Sequence, residues 1–522
     1  MAYLLGIDIG TTGVKTILVD EAGRTVATST VPHPLSTPYP GWSEQDPESW
    51  WNGTIESVRN VLKASSLGDP GLILGIGLSG QMHTSVLLDG ADRVVRPAIL
   101  WNDGRTTSQC QWITETVGSE GLERLVANPA LEGFTAPKVI WLRENEPENY
   151  DKVRTLLLPK DYVRFRLTGE KAMEVSDAAG TLLFDVRERR WSAELTERIG
   201  VSMEILPPVY ESVEVCGTVT EDVAELTGLK AGTPVVGGGA DNACGATGAG
   251  IVKEGRVLSS VGTSGTVVAH SDAVKVDPQM RVHSFCHSVP HRWYLMGVTL
   301  SAGNSLRWFR DTLGPMEGAL EAVSGIDAYD LLTAEAAQVE PGSEGLIFLP
   351  YLTGERTPHK DANAMGTFFG ITGRHTRGHL VRAVLEGITY AMNDSLGILR
   401  ELGLEVEEIR ATGGGAKSAF WRQLQADVYG APVITVNATE GPAFGAALMA
   451  GVGAGMFADL ATATDALVQA TTTAEPIQSN VETYREYYGA FRELYPALKE
   501  NFSSVSEIVR RRAKEAKRAQ TA

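Results

Sequence analysis

Two aspartates stand where they could move or hold charge. Asp241 closes the run Val235-Val236-Gly237-Gly238-Gly239-Ala240 and is followed by Asn242. A strand that ends in glycines delivers one acid and one amide with no bulk beside them. A substrate hydroxyl could then approach within the hydrogen-bond reach of about 2.6–3.2 Å that a general base needs. Aspartate is also a favoured helix N-cap, and Ala243 to Gly248 reads as a helix start, so both roles are open to Asp241. Asp8 lies between Ile7 and Ile9. A carboxylate in an apolar strand is costly unless it is paired or near a metal. It fits a site for Mg²⁺, which bridges carboxylates and phosphates through water, or the solvated face of an edge strand.

Asp8 leads into Gly10-Thr11-Thr12-Gly13, and a similar turn, Gly262-Thr263-Ser264-Gly265, appears about half a chain later. Glycines there permit positive φ and close approach of the backbone. Successive N–H groups can form an anion nest, with threonine hydroxyls as further donors. Two ordinary hairpin turns would look the same. No GxxxxGK[ST] loop occurs, which excludes an ordinary P-loop enzyme. Gly75-Ile76-Gly77-Leu78-Ser79-Gly80 has GxGxxG spacing but leads into another strand, whereas dinucleotide binding needs a helix there. His83 has small or polar neighbours, and Trp101-Asn102-Asp103-Gly104-Arg105 follows soon after. Aromatic and multifunctional polar groups suit a polyhydroxylated ligand. Thr412-Gly413-Gly414-Gly415-Ala416-Lys417-Ser418 follows a strand-like run and precedes a helix. It reads as a tight turn, or as a flat seat for a base or ribose.

These residues must be positioned by β-rich hairpins. Leu4–Ile9 and Val14–Val19 flank the first turn, and Val257–Val261 and Thr266–Ala269 flank the second. A hairpin repeated at this distance suggests a duplicated domain. Further strands are expected at Thr25–Thr30, Leu72–Gly77 and Thr84–Leu88. Helices are expected at Trp42–Ala64, Gly378–Leu402, Phe420–Tyr429 and Ala443–Ala450. The boundary falls near Gly248–Gly255. The tail from Ser503 reads as a solvated basic helix carrying Arg510, Arg511, Arg512, Lys514 and Lys517.

The net charge of −18 over 522 residues disfavours nucleic-acid binding. It also means that an anionic substrate must be met by local N–H groups, a metal or a few placed cations. Cys110, Cys216, Cys244 and Cys286 form no CxxC pair, which fits a reducing, cytoplasmic setting. No apolar stretch approaches the roughly 18 residues of a membrane helix, so no membrane partner is expected.

In order along the chain, these segments resemble the FGGY family of carbohydrate kinases, from about Leu4 to about Gly451. Gly6-Ile7-Asp8-Ile9-Gly10-Thr11-Thr12-Gly13 is similar to the family's first phosphate motif and Ser260–Gly265 to its second. Thr412–Lys417 is similar to its adenosine motif, and Glu440–Ala447 to the segment that follows. Gly80-Gln81-Met82-His83, Leu158-Pro159-Lys160-Asp161-Tyr162 and Gly354-Glu355-Arg356-Thr357-Pro358 are most similar to members that phosphorylate xylulose.

The resemblance implies an α/β fold of two ribonuclease-H-like domains of the actin and sugar-kinase type, with a cleft between them. The expected division is a sugar-binding domain over 1–250, a nucleotide-binding domain over 251–490 and a helical tail over 491–522. It implies ATP and Mg²⁺ as cofactors and a small sugar as substrate, and family analogy allows a homodimer. By the same carry-over Asp241 is the base and Asp8 holds the metal. Met82, His83, Trp101 and Asn242 contact sugar. Thr11, Thr12, Gly262 and Thr263 face phosphates. Gly414, Gly415, Ala416 and Lys417 face adenosine, with Gly303 and Arg307 also lining the nucleotide site. Asn304 replaces a residue that is often small in the family. Ribulose, fuculose, gluconate or glycerol are alternative acceptors. A non-catalytic nucleotide switch is a further alternative, against which the presence of both Asp8 and Asp241 speaks.

Overall fold

The structure, a computed structural model, describes residues 2–438 and 440–521, without the side chains of residue 514 and residues 516–521. Lys514, Lys517 and Ala522 of the basic tail therefore lie outside the described side chains and residues. In chain order the elements that matter begin with β1 (Tyr3–Ile9), β2 (Gly13–Asp20), β3 (Thr25–Pro32), α1 (Pro47–Ser65), β4 (Ile73–Gly80), β5 (Val215–Thr218), β6 (Pro234–Val236) and α2 (Asp241–Gly248). They continue with β7 (Gly255–Val261), β8 (Gly265–Ser271), α3 (Gly303–Leu313), α4 (Ala328–Ala336), α5 (Arg377–Glu401), β9 (Val406–Gly413) and α6 (Ala419–Tyr429). Last come β10 (Val433–Val436), α7 (Pro442–Gly453), β11 (Ala470–Ala474) and α8 (Gln478–Thr521).

The chain divides into two compact units. One comprises Met1–Glu254, His270–Leu295 and Asn437–Gln469; the other comprises Gly255–Ala269, Met296–Val436 and Ala470–Ala522. In the first, strands follow the order β5-β6-β4-β1-β2-β3. The hairpin β1–β2 is antiparallel and pairs Asp8 with Lys15, while β4 runs parallel to β1 and pairs Ser79 with Asp8. The second unit repeats the plan. Strands β7 and β8 form an antiparallel hairpin, β9 is parallel to β7, β10 is parallel to β9, and β11 closes antiparallel. The duplicated hairpin expected from the sequence is thus part of a duplicated sheet.

Alternation of side chains along a strand explains the layers. On β1, Leu5, Ile7 and Ile9 enter a core with Trp50, Val58 and Val61 of α1. That helix starts at Pro47, where Asp46 accepts from the Glu48 N–H, as an N-cap should. Gly6 and Gly77 meet α7 instead. A Cβ on Gly6 would stand 2.0 Å from the Ala443 carbonyl oxygen, and one on Gly77 would stand 1.9 Å from that of Ala446. The middle glycine of the GxGxxG spacing therefore serves helix packing. The helix α7, which carries Pro442–Ala447 of the Glu440–Ala447 motif, belongs to the first unit although it follows the whole sequence of β7–β10. The basic segment from Ser503 continues α8, with Arg510 donating to Asn363 Oδ1 at 2.6 Å.

Candidate active site

In the first unit Asp241 occupies the first turn of α2, one residue after the N-cap position, which is Ala240. Its Oδ1 accepts from the Asn242 backbone N–H at 2.7 Å and from Asn242 Nδ2 at 3.0 Å. Burial and the negative charge of Asp8 push its carboxyl up to about 7, and the Asn242 bonds act in the opposite sense. A carboxylate poised near neutrality suits a general base. Asp8 Oδ1 is buried and accepts no hydrogen bond. Burial raises its pKa, partly offset by the Ser79 hydroxyl and the Lys15 ammonium. Lys15 is itself paired to Glu440 at 2.5 Å.

A buried carboxylate oxygen without a hydrogen-bond partner is chemically suited to a cation. Among the described residues no cluster of three or more His, Cys, Asp or Glu could hold a metal by itself. Mg²⁺ characteristically takes one or two carboxylates and completes its shell with water and phosphate, so Asp8 fits that ion as a partner to a nucleotide.

Met82 and His83 follow the end of β4. Met82 Sδ lies 3.6 Å from Asn242 Nδ2, which brings Met82 beside the residue that follows Asp241. His83 adopts φ of 67° and its Nδ1 lies 2.5 Å from the Gly180 carbonyl oxygen. Its own carbonyl accepts from Thr135 Oγ1 and Lys138 Nζ, each at 2.9 Å. Burial pushes Lys138 down to about 7. The ring stands 4.7 Å from that of Phe134. His83 is thereby fixed in place, half-buried. Trp101 is 46% exposed, and its Nε1 donates to Thr11 Oγ1 at 3.0 Å. Thr11 is further held by Gln45, whose Nε2 donates to its carbonyl at 2.7 Å, while Thr12 is left exposed.

The second unit holds a cavity of about 230 Å³. Gly262, Thr263, Gly303, Arg307, Gly414, Gly415 and Lys417, all expected from the sequence, line it. Ala416 is not among the lining residues; its carbonyl accepts from Arg422 Nη1 at 2.5 Å. Glycines shape the cavity. The Gly303 N–H donates to the Gly262 carbonyl at 2.9 Å, and a Cβ on Gly303 would lie 2.3 Å from that oxygen. A Cβ on Gly415 would stand 2.7 Å from Val261 Cβ. Asn304 also lines it and accepts from Arg307 Nη2 at 2.8 Å. Sequence reasoning missed Tyr329, Asp330 and Thr333 of α4 and Trp421 of α6, which form another part of the wall. Trp421 lies just after the adenosine motif and could have been suspected. The α4 residues carry no motif at all.

These two units define the class. The chain matches the model of the FGGY family of carbohydrate kinases, N-terminal domain, over residues 3–248, and that of the C-terminal domain over residues 257–454. It belongs to the FGGY family and is an ATP-dependent sugar kinase. Among its relatives is the xylulose kinase of Bacillus subtilis, 43% identical over 94% of this chain and 96% of that one. Another is the xylulose kinase of Escherichia coli, 42% identical over 86% of this chain and 90% of that one. The solved structure of xylulose kinase from Rhodospirillum rubrum superposes with a TM-score of 0.89 at 32% identity, covering 96% of this chain and all of that one. Among the described residues no helix is long and apolar enough to cross a membrane.

Proposed function

We propose that this kinase transfers the γ-phosphoryl group of ATP to the 5-hydroxyl of D-xylulose, giving D-xylulose 5-phosphate and ADP. The observation that carries the mechanism is the place of Asp241 in the first turn of α2, after the glycine run, with its Oδ1 held by Asn242; burial and the charge of Asp8 raise its carboxyl to about 7. Asp241 takes the proton of the 5-hydroxyl as its oxygen bonds to the γ-phosphorus, and the bond from that phosphorus to the β-bridging oxygen breaks. Met82, His83, Asn242 and Trp101 hold the sugar. Thr11, Thr12 and the Gly262–Thr263 turn donate to phosphate oxygens, where charge must be neutralised during transfer. Gly303, Arg307, Gly414, Gly415 and Lys417 seat the nucleoside. Asp8 would hold Mg²⁺, which when bound supplies positive charge at the phosphates. The four cysteines, all free and buried, support a reducing compartment. The choice of sugar rests on the relatives at about 40% identity.

An ADP-release assay over D-xylulose, ribulose, fuculose, gluconate and glycerol tests this reading. D-xylulose should give the highest kcat/KM. A higher value with any other acceptor overturns the substrate, and no sugar-dependent ADP release overturns the catalytic role.

A further inference from the structure

The run that delivers Asp241 is gripped from behind by side chains outside the sugar and nucleotide sets. Gly239 pairs with Ser79 and Ala240 with Gly80, so the run lies along β4. It lies close: Gly238 has φ of 74°, and a Cβ there would stand 2.0 Å from the Leu78 carbonyl oxygen. Two buried side chains then hold its ends. Arg164 Nη1 donates to the Gly237 carbonyl at 2.6 Å, and the Ala240 N–H donates to Ser176 Oγ at 3.0 Å.

The Ser176 hydroxyl is not free to rotate away. It donates to Glu174 Oε1 at 2.9 Å, which leaves a lone pair for Ala240. Glu174 in turn caps the short helix Val175–Ala179, accepting from the Ser176 N–H at 2.7 Å and the Asp177 N–H at 2.8 Å. Ser212 Oγ donates to its Oε2 at 2.9 Å, and Lys160 Nζ lies 3.3 Å from its Oε1. Glu174, Ser176, Lys160 and Arg164 are all fully buried. Buried ion clusters are a poor source of stability. A satisfied buried network does specify one local geometry, and this one ends at the residue before Asp241.

We propose that Ser176, fixed by Glu174, is a positioning residue for phosphoryl transfer: its bond to the Ala240 N–H sets where the Asp241 carboxylate stands against the acceptor hydroxyl. This rests on the reading of Asp241 as the base. Ser176 touches no substrate and acts only through the backbone of the glycine run. A misplacement of about 1 Å can cost on the order of 10²-fold in rate.

The test is a double-mutant cycle with a matched control. Ser176→Ala removes the acceptor of Ala240. Ser212→Ala removes one hydrogen bond to the same Glu174 but none to the run. Turnover, KM for ATP and for D-xylulose, and Tm are measured for both, for Asp241→Asn and for Ser176→Ala/Asp241→Asn. We expect Ser176→Ala to lower kcat about 10- to 100-fold with KM for ATP within about twofold, while Ser212→Ala keeps kcat within about twofold. Once Asp241 is gone, adding Ser176→Ala should cost less than about twofold more, because a residue that acts through another has nothing left to position. Equal losses of kcat in the two serine variants, no loss in Ser176→Ala, or losses that multiply in the double variant each overturn the proposal. Should Ser176→Ala not fold, Ser176→Cys keeps the volume, weakens the acceptor and is read in the same way. Normal turnover in Asp241→Asn is a separate outcome: it removes the base reading itself.

Discussion

Asn242 gives both its backbone N–H and its side-chain amide to one oxygen, Oδ1 of Asp241, at 2.7 and 3.0 Å. Neither bond falls on Oδ2. Both favour the ionised carboxylate, whereas burial and Asp8 favour the protonated one. The resting value of about 7 is the balance of these influences.

That balance predicts two opposite shifts in the pH profile. A base must be ionised, so kcat/KM should fall as pH drops through the pKa of Asp241 in the free enzyme. Asn242→Ala removes the side-chain bond that holds the pKa down. The acid limb should move to higher pH, with the deficit of the variant largest at pH 6 and smallest near pH 9. Asp8→Asn removes a negative charge, so its acid limb should move to lower pH. Profiles of unchanged midpoint in both variants would show that Asp241 does not set the limb.

Asp241→Ala should lower kcat by about 10²–10⁴, the usual worth of a general base. The nucleoside of ATP lies on residues of the second unit in the proposed arrangement, and Asp241 is assigned no contact with ATP, so the ATP dissociation constant, measured by calorimetry, should change by less than about threefold. Near-normal turnover would remove the assignment.

His83 is held by four residues, with Thr135 and Lys138 on its carbonyl and Gly180 and Phe134 at its ring. His83→Ala should raise KM for D-xylulose at least about tenfold and leave KM for ATP within about twofold. The prediction compares the two constants in one preparation, so a partly unfolded sample cannot imitate it. Equal rises in both would show that His83 does not mark the sugar site.

The hairpins were readable because β-branched runs broken by Gly-Thr turns have few other folds, and the repeat of that pattern pointed to the repeated sheet. The tight packing of the run before Asp241 was readable because consecutive glycines suit a backbone that must approach something closely, here Gly238 against the Leu78 carbonyl. The contacts of Ser176 and Glu174 were not, because Ser176 meets Ala240 across 64 positions of chain and Glu174 reaches the run only through Ser176. The placement of α7 against β1 was equally hidden. Its small residues say that something comes close, and only the structure shows that Gly6 and Gly77 are what come close. Tyr329, Asp330 and Thr333 reach the second unit's cavity from a helix whose sequence is ordinary. A wall residue with no special backbone need leaves no local trace.

The cavity of the second unit gives a prediction that separates nucleotide from sugar. Gly303 sits where α3 begins, with its N–H on the Gly262 carbonyl and the Asn304 N–H on that of Thr263. All four residues line the cavity. In Gly303→Ala the new Cβ would stand 2.3 Å from the Gly262 oxygen, so either the helix start or the Gly-Thr turn must move. Such overpacking typically costs about 1–3 kcal/mol of stability, and the moved atoms are the ones proposed to seat the nucleotide. KM for ATP should rise at least about tenfold, while calorimetric affinity for D-xylulose without nucleotide should stay within about twofold. Gly318→Ala is the control. That glycine lies within the helix Pro315–Ser324, and nothing comes within 4 Å of a Cβ there. Alanine in a helix interior is favoured over glycine by about 1 kcal/mol, so this variant should be slightly more stable and kinetically normal. If ATP binds Gly303→Ala as tightly as it binds the native chain, the cavity is not where the nucleotide sits.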